Sequence, residues 1–198
     1  MKVQMKIQKI LCITVLISAV IAFVMSLGLL TDLYYVYAAG DLFAIVDGNY
    51  IEMKKSTLYL DMQPFNTSLV NTYITLIVIS AFLFVTLTHK RRNYYISNYI
   101  ITGIVFGYGV YSVIFSISKI LAYRTSFIND TDFETYKLIS EAFSKVKYTE
   151  STFWLDINIA ASILVLISIL LLLGNLIWKT ILMKKEKAFL SSQNIKVE

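Results

Sequence analysis

Ile157–Trp178 reads INIAASILVLISILLLLGNLIW, 22 residues without a charge. At 1.5 Å per residue a helix of that length covers about 33 Å, enough to cross the hydrocarbon of a bilayer. Three more uncharged runs share the property: Ile10–Thr31 (22 residues), Met62–Thr88 (27) and Asn93–Ser118 (26). Four such runs in a chain of 198 residues predict an all-α membrane protein, a four-transmembrane-helix bundle with spans at about 10–31, 67–88, 94–118 and 155–178. Residues 1–198 then form a single integral membrane domain, with longer connections at 32–66 and 119–154, a short turn at 89–93 and a tail at 179–198.

Composition agrees: 57% of residues are hydrophobic and only 16% charged, below the share usual in a soluble domain. The one proline, Pro64, falls in the first long connection. A secretory signal has an apolar region of about 7–15 residues. Ile10–Thr31, at 22, is too long for one and reads as a true span.

Lys and Arg set the orientation. Lys2, Lys6 and Lys9 precede the first span, Lys90, Arg91 and Arg92 form the short turn, and Lys179, Lys184, Lys185, Lys187 and Lys196 follow the last span. Those are 11 of 18 basic residues, against two acids, Glu186 and Glu198. The positive-inside bias places both termini and the turn in the cytoplasm and the two long loops outside, in a plasma membrane. The abundance of Ile, Lys, Asn and Tyr matches an AT-rich, bacterial genome. Lys90, Arg91, Arg92, Lys184, Lys185 and Lys187 suit anionic lipid headgroups, and the clusters Tyr34–Tyr37, Tyr94–Tyr99, Phe153–Trp154 and Trp178 suit the interfaces.

Cys12 and His89 each stand alone. Dithiol exchange, which needs a pair of cysteines, and bis-histidine haem or His-rich metal sites are thereby excluded within one chain. No carboxylate pair or nucleophile–base arrangement lies in or near the spans, so no enzyme activity, metal or cofactor is expected.

Intramembrane polar residues are costly and need partners. In the third span Asn98, Thr102, Gly109, Ser112, Ser116 and Lys119 recur on one helical face, and Gly103–Gly107 adds a GxxxG pair beside it. The fourth span answers with Asp156, Asn158, Ala161, Ser168 and Asn175, and the first offers Ser18, Ala22 and Ser26. Matching the third and fourth stripes antiparallel predicts Asn98 opposite Asn175, Ser112 opposite Ala161, Ser116 opposite Asn158 and an ion pair of Lys119 with Asp156. Helix packing explains such a stripe better than a conduction path, which usually carries acids or His deep in the membrane. The second and fourth spans otherwise read as generic lipid-facing or packing helices.

In the first outer loop, Leu42–Val46 and Asn49–Met53 flank Asp47-Gly48, a hairpin signal, and Ser56–Met62 alternates like a third strand. In the second, Thr131-Asp-Phe-Glu134 fits a capping box. Phe133, Tyr136, Ile139, Phe143 and Val146 follow as the apolar stripe of a short amphipathic helix, a candidate outer partner surface. Each outer loop also holds a glycosylation sequon, at Asn66 and Asn129. Four spans with cytoplasmic termini and a strand-rich first loop resemble the claudin-like tetraspan architecture in topology alone. That family's Trp-Gly-Leu-Trp motif and cysteine pair have no counterpart in this chain, and no residue roles follow.

The function expected is a non-catalytic accessory or assembly subunit of a larger membrane complex, for example a transporter. Its expected partners are membrane lipids and other membrane subunits or further copies of itself, not nucleic acid. The alternative is a small homo-oligomeric transporter or channel whose path runs along the third-span stripe.

Overall fold

The computed structural model describes residues 2–30, 43–46, 48–52, 58–88, 94–142 and 149–194. Helix dominates. Its elements are α1 (Lys2–Leu27), continued by a 3-10 turn (Gly28–Leu30), strands β1 (Phe43–Val46) and β2 (Asn49–Glu52), then α2 (Leu58–Thr88), α3 (Tyr94–Asp130), α4 (Phe133–Ala142) and α5 (Phe153–Asn194). Four of the helices, α1, α2, α3 and α5, are long and apolar enough to cross a membrane, which makes this a multi-pass membrane protein.

The four pack in a ring, α1 against α2 and α5, and α3 against the same two. Each turns one stripe inward at steps of three, four or seven: Cys12, Val15, Ala19 and Ala22 from α1, Leu69, Tyr73, Leu76 and Leu83 from α2, Val105, Val113, Ile120 and Phe127 from α3, and Val165, Ile169 and Leu172 from α5. The outward faces are apolar as well, with Ile17, Val78, Phe82, Ile114 and Leu171 exposed. A helix apolar all round belongs in lipid. One end of the ring gathers the start of α1 and the lysines of α5 (the basic end), and the other carries α4 and the strands (the far end).

Two helices outrun their spans. α3 has 37 residues and α5 has 42, about 55 and 63 Å at 1.5 Å per residue, against a hydrocarbon core of about 30 Å. Residues 119–130, expected as loop, continue α3. No Gly or Pro interrupts them, and Ile120 and Phe127 extend the buried stripe beyond the uncharged run.

Ser56–Met62 is not a third strand, because α2 begins at Leu58. Pro64 therefore lies inside a helix and not in a loop. It has no N–H for the carbonyl of Leu60, and beside that gap the carbonyl of Asp61 accepts from the Tyr123 hydroxyl at 3.2 Å. β1 and β2 pair antiparallel, Phe43 opposite Glu52 and Val46 opposite Asn49. Gly48 between them takes φ 81°, a conformation that disfavours a side chain. α4 lies against β1.

Its cap differs from the capping box read at Thr131. Asp132 is the N-cap: its carboxylate accepts from the Thr135 backbone N–H (3.1 Å) and hydroxyl (2.7 Å). Those bonds hold the Asp132 carboxyl below its ordinary pKa. The Thr131 hydroxyl is enclosed without a partner.

Candidate functional site

At the far end the last turn of α1 has carbonyls with no N–H further along the helix to bind them. Two asparagines from other helices supply the donors. Asn66 of α2 gives its amide to the Leu29 carbonyl at 2.9 Å, and Asn158 of α5 gives its amide to Met25 (3.0 Å) and to Trp154 one turn back (2.7 Å). Below them the Tyr73 hydroxyl of α2 meets Ser162 Oγ of α5 at 2.6 Å. Ser162 spends its single hydrogen on the Asn158 carbonyl at 2.7 Å, so the Tyr73 hydroxyl is the donor in that pair. Trp154 packs directly on Gly28: a Cβ there would fall 2.0 Å from the ring. This network joins three helices.

It also overturns the pairing read for Asn158, which binds α1 and not Ser116. Asn66 is enclosed with its nitrogen engaged, so it is not a surface glycosylation acceptor. Asn129 is exposed near the end of α3.

α3 and α5 pack antiparallel in a different register from the expected one. Asp156 pairs with Arg124, Nε to Oδ1 at 2.6 Å, and also accepts from the Thr152 hydroxyl at 2.6 Å. Lys119 instead stands exposed over the Phe115 ring, 5.8 Å from its centroid. Toward the basic end the Thr180 hydroxyl reaches Tyr99 Oη at 3.3 Å. A Cβ on Gly109 would come within 2.5 Å of Ile169 and 3.3 Å of Leu76, so this glycine lets α3 approach both neighbours. Against the expected pairs, α5 is displaced by about five residues, roughly one and a half turns.

Four serine hydroxyls of the stripes turn to their own helices. Ser116 donates to the Ser112 carbonyl, Ser168 to Leu164, Ser18 to Val15 and Ser26 to Phe23, all between 2.7 and 2.9 Å. Gly103 and Gly107 face outward, with no described residue within 4 Å of an added Cβ. One and two turns further along that face stand Tyr111, 73% exposed, and Phe115, their rings stacked at 6.4 Å.

At the basic end, Lys179 Nζ of α5 donates to Gln8 Oε1 of α1 at 3.1 Å and sits 5.9 Å from the centre of the Tyr99 ring of α3. Thr102 and Asn175 are buried with the Thr102 hydroxyl and both Asn175 amide atoms unbonded. Lys184 and Lys185 are exposed.

In α4, Phe133 packs edge-on against Phe127 of α3 with centroids 5.4 Å apart, and Tyr136 is fully buried. Burial pushes the Tyr136 hydroxyl up to about 12. These two residues pack within the chain and do not form a free outer surface. Phe143, Val146, Lys90, Arg91 and Arg92 lie outside the described residues, as do the side chains of Asn98, Ile139 and Lys187.

Gln8, Asn66, Tyr73, Arg124 and Trp154 are interior or joint residues whose roles here the sequence alone does not single out. Tyr73 sits in the span read as generic and Asn66 in the stretch read as the first outer loop, yet both carry polar atoms into the uncharged run Met62–Thr88, which is the signal that marks them. Among the described residues no group of three His, Cys, Asp or Glu side chains is placed to hold a metal ion. No protein-family model matches the chain, and comparison with curated proteins and with solved structures finds no match.

Proposed function

We propose that the chain is a non-catalytic accessory or assembly subunit of a larger membrane complex, with both termini and the basic end in the cytoplasm of a plasma membrane. The strands and α4 then lie on the outer side. The observation that carries the reading is the outward face of α3. Gly103 and Gly107 make a flat track with none of the described residues against it, beside the exposed, stacked rings of Tyr111 and Phe115. Small residues four apart let a second helix approach closely, and close packing is what drives helix association in lipid. A Tyr hydroxyl facing hydrocarbon adds a polar atom that a partner would satisfy. The occupant is an apolar helix of another membrane protein.

A solute path along the stripe has weaker support. The Ser116 and Ser168 hydroxyls are bound to backbone, and Val105, Val113 and Ile120 fill the interior between the polar positions.

The test is extraction from the native membrane in mild detergent, with wild type and Gly103→Leu/Gly107→Leu compared. The expected result is one stoichiometric membrane partner that the double variant loses while its helicity and melting stay unchanged. A partner retained by the variant, or a pure homo-oligomer that moves a solute, would overturn the proposal.

A further inference from the structure

The contacts between helices fix where charge sits along the bundle. At the far end Arg124 of α3 pairs with Asp156 of α5, and at the basic end Lys179 of α5 stands over the Tyr99 ring of α3. From Tyr99 to Arg124 is 25 residues of α3, about 38 Å at 1.5 Å per residue. A hydrocarbon core of about 30 Å centred between those levels leaves about 4 Å at each end. Lys119 comes five residues before Arg124, about 7.5 Å, so its backbone falls about 4 Å inside the core.

The side chain does not lead back out. Cα–Cβ bonds tilt toward the N-terminus of a helix, which for α3 is the basic end, so this lysine leaves the backbone toward the bilayer centre. Its ammonium stands over the ring of Phe115, one turn deeper, 5.8 Å from the centroid. Phe115 stacks in turn on Tyr111 at 6.4 Å. All three residues are exposed. Among the described residues the Phe115 ring is the partner of Lys119, and no carboxylate lies within 4 Å of it. A charge at such depth ordinarily faces the bundle interior and pairs with an opposite charge. Lys119 faces outward.

We propose that Lys119 receives an Asp or Glu carboxylate from a helix of a different membrane protein, laid along the face of α3 that carries Tyr111 and Phe115. The inference rests on the partner helix proposed above and adds its chemistry: one acid, in the far-end half of the bilayer. A phospholipid phosphate is a poorer match, because it lies beyond the far-end edge of the core and the lysine side chain leads away from that edge. A second copy of the chain is a poorer match too. Two copies inserted the same way and meeting through this face would set Lys119 beside Lys119, and like charges repel. The acids nearest in level, Asp61 and Asp156, contact Tyr123 and Arg124, further toward the far end than Lys119.

The experiment starts from co-extraction in mild detergent and measures affinity by fluorescence transfer between the labelled pair in phosphatidylcholine vesicles. The recovered partner should carry an Asp or Glu in the far-end half of one apolar helix. Lys119→Met should keep the helicity and melting of wild type and weaken the pair by about thirtyfold or more, while Lys119→Arg should stay within severalfold of wild type. Changing the partner's acid to its amide should cost a similar factor. Combined with Lys119→Met it should cost no more than either change alone, since no charge is then buried unpaired. Losses that multiply, a partner with no acid at that depth, or unchanged affinity in Lys119→Met overturn the inference. If Lys119→Met keeps the partner and Gly103→Leu/Gly107→Leu loses it, the partner helix on α3 stands and its acid falls. If no stoichiometric membrane partner is recovered, both fall.

Discussion

The contact of Trp154 with Gly28 joins the end of α1 to the start of α5, and replacing Gly28 by alanine tests how tight that joint is. The new methyl would sit 2.0, 2.3 and 2.6 Å from three carbons of the indole, far inside van der Waals contact. An indole is rigid, so relief requires the whole ring to swing out or the turn at Gly28–Leu30 to lift. Either movement strains the bonds from Asn158 to Met25 and from Asn66 to Leu29. Overpacking of this kind costs about 1–3 kcal/mol, and for a protein of this size each kcal/mol moves the melting temperature by about 2–4 °C. Gly28→Ala should therefore melt about 2–12 °C lower. With Trp178 replaced by Phe, the emission of Trp154 reports the site alone and should shift to the red as the ring leaves its seat. The decisive comparison is Gly28→Ala in a Trp154→Ala background, where the clash is gone and the cost should drop below about 0.5 kcal/mol. An equal cost in both backgrounds, or no change of melting in the first, would refute the reasoning.

Ser162→Ala should cost more than Tyr73→Phe, because the first leaves a buried Tyr hydroxyl without an acceptor, about 1–3 kcal/mol, while the second removes one bond worth about 1 kcal/mol. Chemical or thermal unfolding in detergent orders the two, and the reverse order would count against Tyr73 as the donor. Asp156→Asn should cost under about 1 kcal/mol, since the ion pair with Arg124 is substantially exposed, and the cost should shrink further in molar salt. Asp132→Ala should fray α4 at neutral pH, at about 0.5–2 kcal/mol for a lost N-cap, seen as faster amide exchange there. The folded carboxyl titrates below its unfolded value, so its contribution is present above about pH 4 and disappears as pH falls through the lower folded value. Wild type and variant should converge in acid.

The four spans were legible because a chain of this size has no soluble core large enough to enclose four uncharged runs, each longer than the hydrocarbon is thick. Inward faces were partly legible too: small residues at Gly109, Ala22 and Ala161 mark where helices approach. The register was not. Matching stripes by likeness pairs Asn with Asn and Lys with Asp, whereas the contacts that form join unlike groups. An asparagine amide meets a backbone carbonyl, a glycine meets an isoleucine, and Arg124 of a longer α3 reaches the Asp156 assigned to Lys119. Backbone acceptors are present at every residue and leave no mark in a sequence. The helix ends were hidden for a related reason, since α3 and α5 run on wherever nothing breaks them, whatever the membrane thickness. Pro64 misled because a proline in the first turns of a helix costs far less when another side chain serves the carbonyls beside it.

The caps on α1 also bear on the order of assembly. Of these four spans α1 leaves the ribosome first, yet the groups that complete its far end belong to Asn66 and Asn158, on α2 and α5. Until α5 is inserted, the carbonyl of Met25 has to stay with water or the insertion machinery. The helix made first is finished last, so a chain truncated before residue 158 should hold its first span open to quality control.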